Sequence, residues 1–399
     1  MSTRREFLKK STLATAGTML LPGFLKSLEA NPMMLPEGQK ILVVIQLSGG
    51  NDGLNTIVPY NNDLYYTLRP QLALSKASVL RASDELGFHP ALAKLNELYD
   101  KGYLAVINNV GYPNPDRSHF RSMDIWHTAS NSDQYLNTGW IGRYLDASCT
   151  NCNIAHQAVE IDDMLSLALK GENIKGMAIK NPRKLYQILH NNYFQKIVKN
   201  PVDANEPSLN YLYKTLAEAT SSADYIYDKS NVYKSNTLYP DYAFAGQLKT
   251  VAELINSGLS TKVYYVSLSG FDTHVRQQPE HERLLKIYAE SVSAFVSDLE
   301  KNNRFQDVLV MTFSEFGRRV SQNASGGTDH GTANNLFVIG KNLKQKGFIS
   351  GTPDLSRLDQ GDLIHEVDFR SVYATVLDKW LNTSSNSVLN GQFKTLDFI

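Results

Sequence analysis

Three short apolar, β-branched runs punctuate the chain, and each gives way abruptly to polar residues. Ile41–Leu47 runs into Ser48, Gly49, Gly50, Asn51 and Asp52. Lys262–Leu268 runs into Ser269, Gly270, Phe271, Asp272, Thr273 and His274. Asp307–Phe313 runs into Ser314, Glu315, Phe316, Gly317 and Arg318, with Gly327–Gly331 close behind. Stretches apolar at consecutive positions are expected of strands buried on both faces of a parallel sheet. Ligands gather beyond the carboxyl ends of such strands. Acids and imidazoles distant in sequence are therefore predicted to converge on one edge.

Helical periodicity fills the intervals. His89-Pro90 opens an amphipathic run over 89–102 (Leu92, Leu95, Leu98, Tyr99), stopped by Gly102 and followed at once by a strand from Leu104 to Asn108. A loop from Gly111 to Phe120 leads into a helix through Met123 and Trp126. Gln157–Ile161 and Gly176–Ile179 are weaker strand candidates. Residues 180–250, rich in Tyr, Asn and Lys, read as a helical elaboration; 244–259 and 280–301 are clear amphipathic helices. Alternating strands and helices predict an α/β fold with a mainly parallel central sheet. No repeat or Pro/Ser-rich linker divides the chain, which argues for one continuous domain.

Composition narrows the partners. The chain has 399 residues, enough to bury a large core, and its 40 Lys+Arg balance its 40 Asp+Glu. That balance removes the electrostatic case for nucleic acid. Near the N-terminus Arg4 and Arg5 precede Phe7 and Leu8, with a mildly apolar stretch from about Thr12 to Leu25 and small residues near Ala30. This reads as a twin-arginine export signal over 1–30, engaging the twin-arginine translocase and implying a periplasmic, secreted or cell-surface protein. The stretch is short and broken by Gly17 and Pro22, which argues against a stable membrane anchor. The two cysteines, Cys149 and Cys152, lie in a polar loop; a local disulfide or free thiols is the favoured reading.

Several strand-end residues have the chemistry of a metal-dependent hydrolytic site. Asp52 follows two glycines that let backbone approach an ion closely, although Asn-Asp-Gly also suits a plain turn. Asp272 and His274, two residues apart on a turning backbone, can reach one ion. His330 stands in a Gly-rich loop that presents a side chain rather than building a core. Arg318, near Glu315, could clamp a phosphate or sulfate bidentately or form a salt bridge. Ser118 and His119 open a helix; the serine is either an N-cap or a nucleophile beside helix N–H groups. His89, His127, His156, His190, His281 and His365 lack such context and read as structural or surface residues. Asp368 and Arg370 are expected to orient a late helix.

Taken together, Leu47–Asn55, Arg117–Phe120, Gly270–His274, Ser314–Arg318, Gly327–Gly331 and the closing Asp368–Thr375 resemble a bacterial family of exported twin-arginine proteins designated a domain of unknown function. That family looks like a branch of the alkaline phosphatase and sulfatase superfamily. The resemblance covers nearly all of residues 31–399 and implies a single alkaline-phosphatase-like α/β domain, with the helical elaboration as an insertion. It implies that Asp52 is the first-strand metal ligand, that Asp272 and His274 are the acid and imidazole of a metal site, and that Glu315 and His330 complete the set. Ser118 falls where a nucleophile is expected, with His119 and Arg318 as catalytic partners. Phe316 replaces a usual His, and the signature required for formylglycine is absent around Ser118.

The expectation is an exported metal-dependent hydrolase of phosphate or sulfate esters. Its cofactor would be a divalent ion (Zn, Mn, Mg or Ca), and its substrate a small anionic ester or a sulfated or phosphorylated glycan. The alternative is a catalytically degenerate binding or structural protein of the same fold.

Overall fold

The computed structural model describes residues 39–148, 155–199 and 207–399. The segment read as an export signal and the Cys149–Cys152 pair lie outside the described residues. The long apolar runs become β1 (Ile41–Ser48), β2 (Leu104–Gly111), β5 (Val263–Ser269) and β6 (Val308–Phe313). The weaker candidates become β3 (Ala158–Glu160) and β4 (Met177–Ala178). Three more strands complete one sheet: β7 (Asn334–Ile339), β8 (Gly347–Phe348) and β9 (Val367–Asp368). The lateral order is β8-β2-β7-β6-β1-β5-β3-β4, with β9 also paired to β2. All pairings are parallel except those of β7 with β2 and β6. The sheet is thus mainly parallel, as the alternation predicts. Strand β7 was not foreseen. The connection from β6 leaves and re-enters at the same sheet edge, so the strand that follows must run back.

The reason the runs are apolar at every position is visible in β1. Ile41, Val43, Ile45 and Leu47 enter one core, Leu42 and Val44 the other. The first core is closed by helices α1 (Ala93–Asp100), α7 (Ala243–Asn256) and α8 (Gln277–Lys301). The second is closed by α2 (His119–Thr128), α3 (Trp140–Ser148) and α9 (Phe369–Thr375). The result is a three-layer α/β/α body. Between β4 and β5 the chain forms α4 (Pro182–Leu189), α5 (Asn192–Lys199), α6 (Pro207–Ser230) and α7. Asp368 caps α9, its Oδ1 accepting from the Arg370 amide at 2.9 Å. No helix among the described residues is long and apolar enough to cross a membrane.

Two buried polar features carry much of the specificity of this packing. Asp298, on α8, is fully buried and accepts from Tyr233 Oη at 3.1 Å, Ser235 Oγ at 2.5 Å and Tyr239 Oη at 3.0 Å. These bonds pin the 231–242 segment to the helix. Separately, His89, His127 and His281 are buried, and burial pushes their pKa values down to about 4, about 4 and about 3. Burial acts in the opposite sense on Glu160, raising its carboxyl to about 7.

Asp298→Ala should lower stability by roughly 2–4 kcal/mol, because one buried and two part-buried hydroxyls lose a charged acceptor. A shift of the urea midpoint measures it; an unchanged midpoint would show that water replaces the carboxylate. For pH, the unfolded chain takes up imidazole protons below about 6.5 that the folded state refuses, so stability falls as pH drops from 6.5 toward 4. Each imidazole contributes at most about 1.4 kcal/mol per pH unit. Glu160 offsets part of this between about pH 7 and 4.5. Unfolding of the chelator-treated protein should show that slope, and His281→Gln should flatten it.

Candidate metal centre

Strands β5, β1 and β6 are parallel neighbours, so the loops after them leave from one edge of the sheet. Short bonds then clamp the loops together. Gly49 donates its N–H to Glu315 Oε1 at 2.8 Å, and Asn51 donates its N–H to Ser314 Oγ at 2.9 Å. Gly49 has φ +119°, and a Cβ there would lie 2.4 Å from the Asp272 amide nitrogen. Only glycine lets the β1 loop pass this close to the β5 loop. Gly327 does the same for the later loop, since its Cβ would meet the His274 carbonyl at 2.3 Å.

On this frame three imidazoles meet one carboxylate. Asp272 Oδ1 lies 3.1 Å from His330 Nε2, 3.0 Å from His274 Nε2 and 3.4 Å from His119 Nε2. The facing His274 and His330 Nε2 atoms are 2.9 Å apart. The opposite ring nitrogens all face groups that can only accept. His119 Nδ1 lies 2.9 Å from Glu315 Oε1, His274 Nδ1 3.2 Å from Asp329 Oδ1, and His330 Nδ1 2.8 Å from the Arg117 carbonyl. Each Nδ1 is therefore placed to donate, and a ring holding only that proton turns an Nε2 lone pair inward. His119 Nε2 is buried and has no hydrogen-bond partner. Lone pairs crowded together in this way repel unless protons or a cation lie among them. Donor atoms of His119, Asp272 and His330 lie within 4.8 Å of one another, a span compatible with sharing one ion.

Electrostatics agree with that crowding. Partial burial alone would raise the Asp272 carboxyl, but the hydrogen bond and the charge of Arg318 bring it down to about 2. The hydrogen bond to Glu315 raises the His119 pKa against the effect of burial. Phe316 is buried, and its ring packs 4.9 Å from that of His119 and 4.7 Å from that of His330.

The structure redistributes the roles expected of the strand-end residues. The structure brings Asp272, His274 and His330 together, and His119 stands beside them with its Nε2 toward Asp272 Oδ1. Asp52 does not join. Its buried carboxylate meets Arg69 Nη1 at 2.6 Å, accepts from Gln277 Nε2 and receives the Asn55 amide at 3.4 Å. Burial would raise its carboxyl, but Arg69, His281 and Gln277 hold it below the usual range. It is an ion-paired helix cap, with its oxygens spent. Glu315 is also not among the inward donors: it is fully buried, and Oε1 serves Gly49 and His119. Arg318 cannot clamp a substrate. Its side chain is fully buried and donates to the carbonyls of Gly49, Gly50, Phe271 and Thr328 and to Asp272 Oδ1. Ser118 lies at the start of α2, exposed, with no capping bond from its hydroxyl.

Arg69 and Gln277 went unnoticed in the sequence because neither follows a strand. The role of Asp329 was readable in principle, since it precedes His330 in the glycine-rich loop.

No match is found among curated proteins. Among solved structures, the chain is similar to the C-terminal periplasmic domain of EcEptC from Escherichia coli in complex with Zn, at 12% identity and TM-score 0.39, covering 76% of this chain and 73% of that one. It is similar to the PsFucS1 sulfatase from Pseudoalteromonas sp., at 11% identity and TM-score 0.40, covering 94% and 76%. It is also similar to a protein in the alkaline phosphatase superfamily from Vibrio parahaemolyticus, at 10% identity and TM-score 0.36, covering 82% and 70%. Likenesses this distant decide nothing about chemistry, which rests on the side chains above. The family described as Protein of unknown function (DUF1501) matches residues 39–389, almost everything from β1 onward, and the chain belongs to it.

Proposed function

We propose that this protein is an exported, metal-dependent hydrolase of phosphate or sulfate esters. The observation that carries the reading is the set of three Nδ1-anchored imidazoles whose Nε2 atoms face Asp272 Oδ1. His119, His274, His330 and Asp272 would hold the cation. Three imidazoles and one carboxylate suit Zn or Mn better than Mg or Ca, which prefer all-oxygen cages. A bound divalent ion would supply charge to neutralise the anionic ester and acidify an oxygen nucleophile.

The chain's own groups supply the remainder. Glu315, Asp329 and the Arg117 carbonyl fix the three imidazoles in one tautomer and one orientation. Arg318 holds Asp272 in place at 2.8 Å. Ser118 presents a free hydroxyl beside His119 at the start of the ten-residue helix α2. The first N–H groups of that helix have no partner inside it and would bind the oxygens of the incoming anion. Arg4 and Arg5 and the apolar stretch behind them support export by the twin-arginine translocase. A second reading, a cation-binding protein without turnover, is favoured by one observation: Arg318 is turned inward, away from any substrate.

Calorimetric titration with zinc should give one equivalent bound. His330→Ala should abolish it, and Glu315→Gln or Asp329→Asn should weaken it by about 10–100-fold through loss of imidazole orientation. Undiminished binding by His330→Ala would remove the metal centre from the proposal. Turnover of p-nitrophenyl phosphate and sulfate should fall about a thousandfold or more in Ser118→Ala, with zinc affinity kept. Equal rates in the two proteins would leave only the binding reading.

A further inference from the structure

Asp52 turns no oxygen toward the imidazoles, yet both side chains that occupy its Oδ2 reach the loop carrying His330. That loop leaves β6 and folds back on itself. Its two legs are joined where the Arg319 amide donates to the Asp329 carbonyl at 3.0 Å and the Gly331 amide to the Gly317 carbonyl at 2.9 Å. Arg69, fully buried, holds the outgoing leg. Its Nε donates to the Val320 carbonyl at 2.7 Å and its Nη2 to the Arg319 carbonyl at 2.8 Å, while Nη1 meets Asp52 Oδ2 at 2.6 Å. Gln277, also fully buried, holds the returning leg. Its Nε2 donates to Asp52 Oδ2, its Oε1 accepts from Thr328 Oγ1 at 2.6 Å, and its backbone N–H donates to the Gly326 carbonyl at 2.9 Å.

One carboxylate oxygen thus grips both legs of a loop whose glycines give it little stiffness of its own. The grip has a direction. A guanidinium and an amide NH2 can only donate, so both need the acceptor that Asp52 supplies. With its NH2 committed there, Gln277 must turn its oxygen to Thr328, and the Thr328 hydroxyl must donate. From Thr328 the path to the centre is short. Its carbonyl accepts from Arg318 Nη1 at 2.8 Å, its amide donates to the Thr273 carbonyl at 3.4 Å, and Asp329 and His330 follow it directly. We propose that Asp52, acting through Arg69 and Gln277, is a positioning residue for the cation centre: it sets the place of Asp329 and His330 without touching the ion. This rests on the metal-centre reading and not on turnover.

Zinc titration calorimetry of the whole protein reads the consequence. Thr328→Val, which removes the hydroxyl at nearly constant shape, and Asp52→Asn, which removes the charge, should each weaken zinc binding by about tenfold. Thr328→Ser keeps the hydroxyl and should recover the affinity. Asp298→Ala, altered near the opposite end of α8 from Gln277, should bind zinc like the wild type, which separates positioning from a general loss of stability. A second readout needs no metal. Imidazole 15N–1H spectra of the zinc-free protein, with His330 located by His330→Ala, should show a single Nδ1–H form in the wild type and Thr328→Ser and lose it in Thr328→Val. Unchanged zinc affinity in Thr328→Val would overturn the proposal. A wild type that binds no zinc would sink the metal-centre reading, and the spectra would then decide alone: loss of the His330 signal in Thr328→Val upholds the positioning role, and an unchanged signal overturns it.

Discussion

The centre depends on one buried charge. Arg318 is withdrawn from solvent, and its guanidinium gathers carbonyls from the β1 loop, the β5 loop and the glycine-rich loop before reaching Asp272. A guanidinium without water is costly unless its donors are met. The three loops can meet them only in this arrangement, so their relative positions follow from satisfying one side chain. The loops carry Asp272, His274 and His330, and Glu315 stands three residues before Arg318. Removing the guanidinium would strand four carbonyls and free the carboxylate around which the imidazoles are arranged. Arg318 is therefore the keystone of the site's shape even though its side chain is withdrawn from solvent.

Asp52 and Asp272 show why a strand-end carboxylate does not reveal its own use. Both follow β-branched runs, both stand close to glycines, and β1 and β5 lie side by side. Asp52 meets Arg69 from the excursion between β1 and β2 and is neutralised in a closed pocket. Asp272 shares its cation, Arg318, with several carbonyls, and its side chain stays half exposed. It keeps an oxygen facing three imidazoles. The difference lies in which arginine arrives, and the local sequence does not record that.

Much of the architecture was nevertheless legible. A run such as Ile41–Leu47 can be apolar at every position only if both faces are covered, and that alone implies helices on two sides of a parallel sheet. The convergence of Asp272, His274 and His330 follows from the strand-end rule plus glycines too crowded to carry a Cβ. Strand β7 escaped because its direction is set by the path of the 314–333 loop rather than by any feature of Asn334–Ile339. The role of His119 escaped for a related reason. It arrives on the helix that follows β2, a strand separated from β5 in the sheet by β7, β6 and β1, and the bond that orients it, to Glu315, spans 196 residues.

On the proposed reading, Phe316 would limit how many ions the centre takes. A second ion beside the first would need its own acids and imidazoles, and the place for them is filled by an aromatic ring against His119 and His330. The ring has no room to swing away on the side of the β1 loop, since a Cβ on Gly50 would lie 2.3 Å from it. Glu315, next to it, faces inward under the same cover and spends itself on His119 and the Gly49 amide. On that reading the apolar wall would exclude a second ion; it also lowers the local dielectric around the Glu315–His119 bond, which strengthens the hold on His119. On the same reading, a one-ion centre would draw its remaining anion-binding capacity from elsewhere. The nearest source would be the N–H groups at the start of α2, directly behind Ser118.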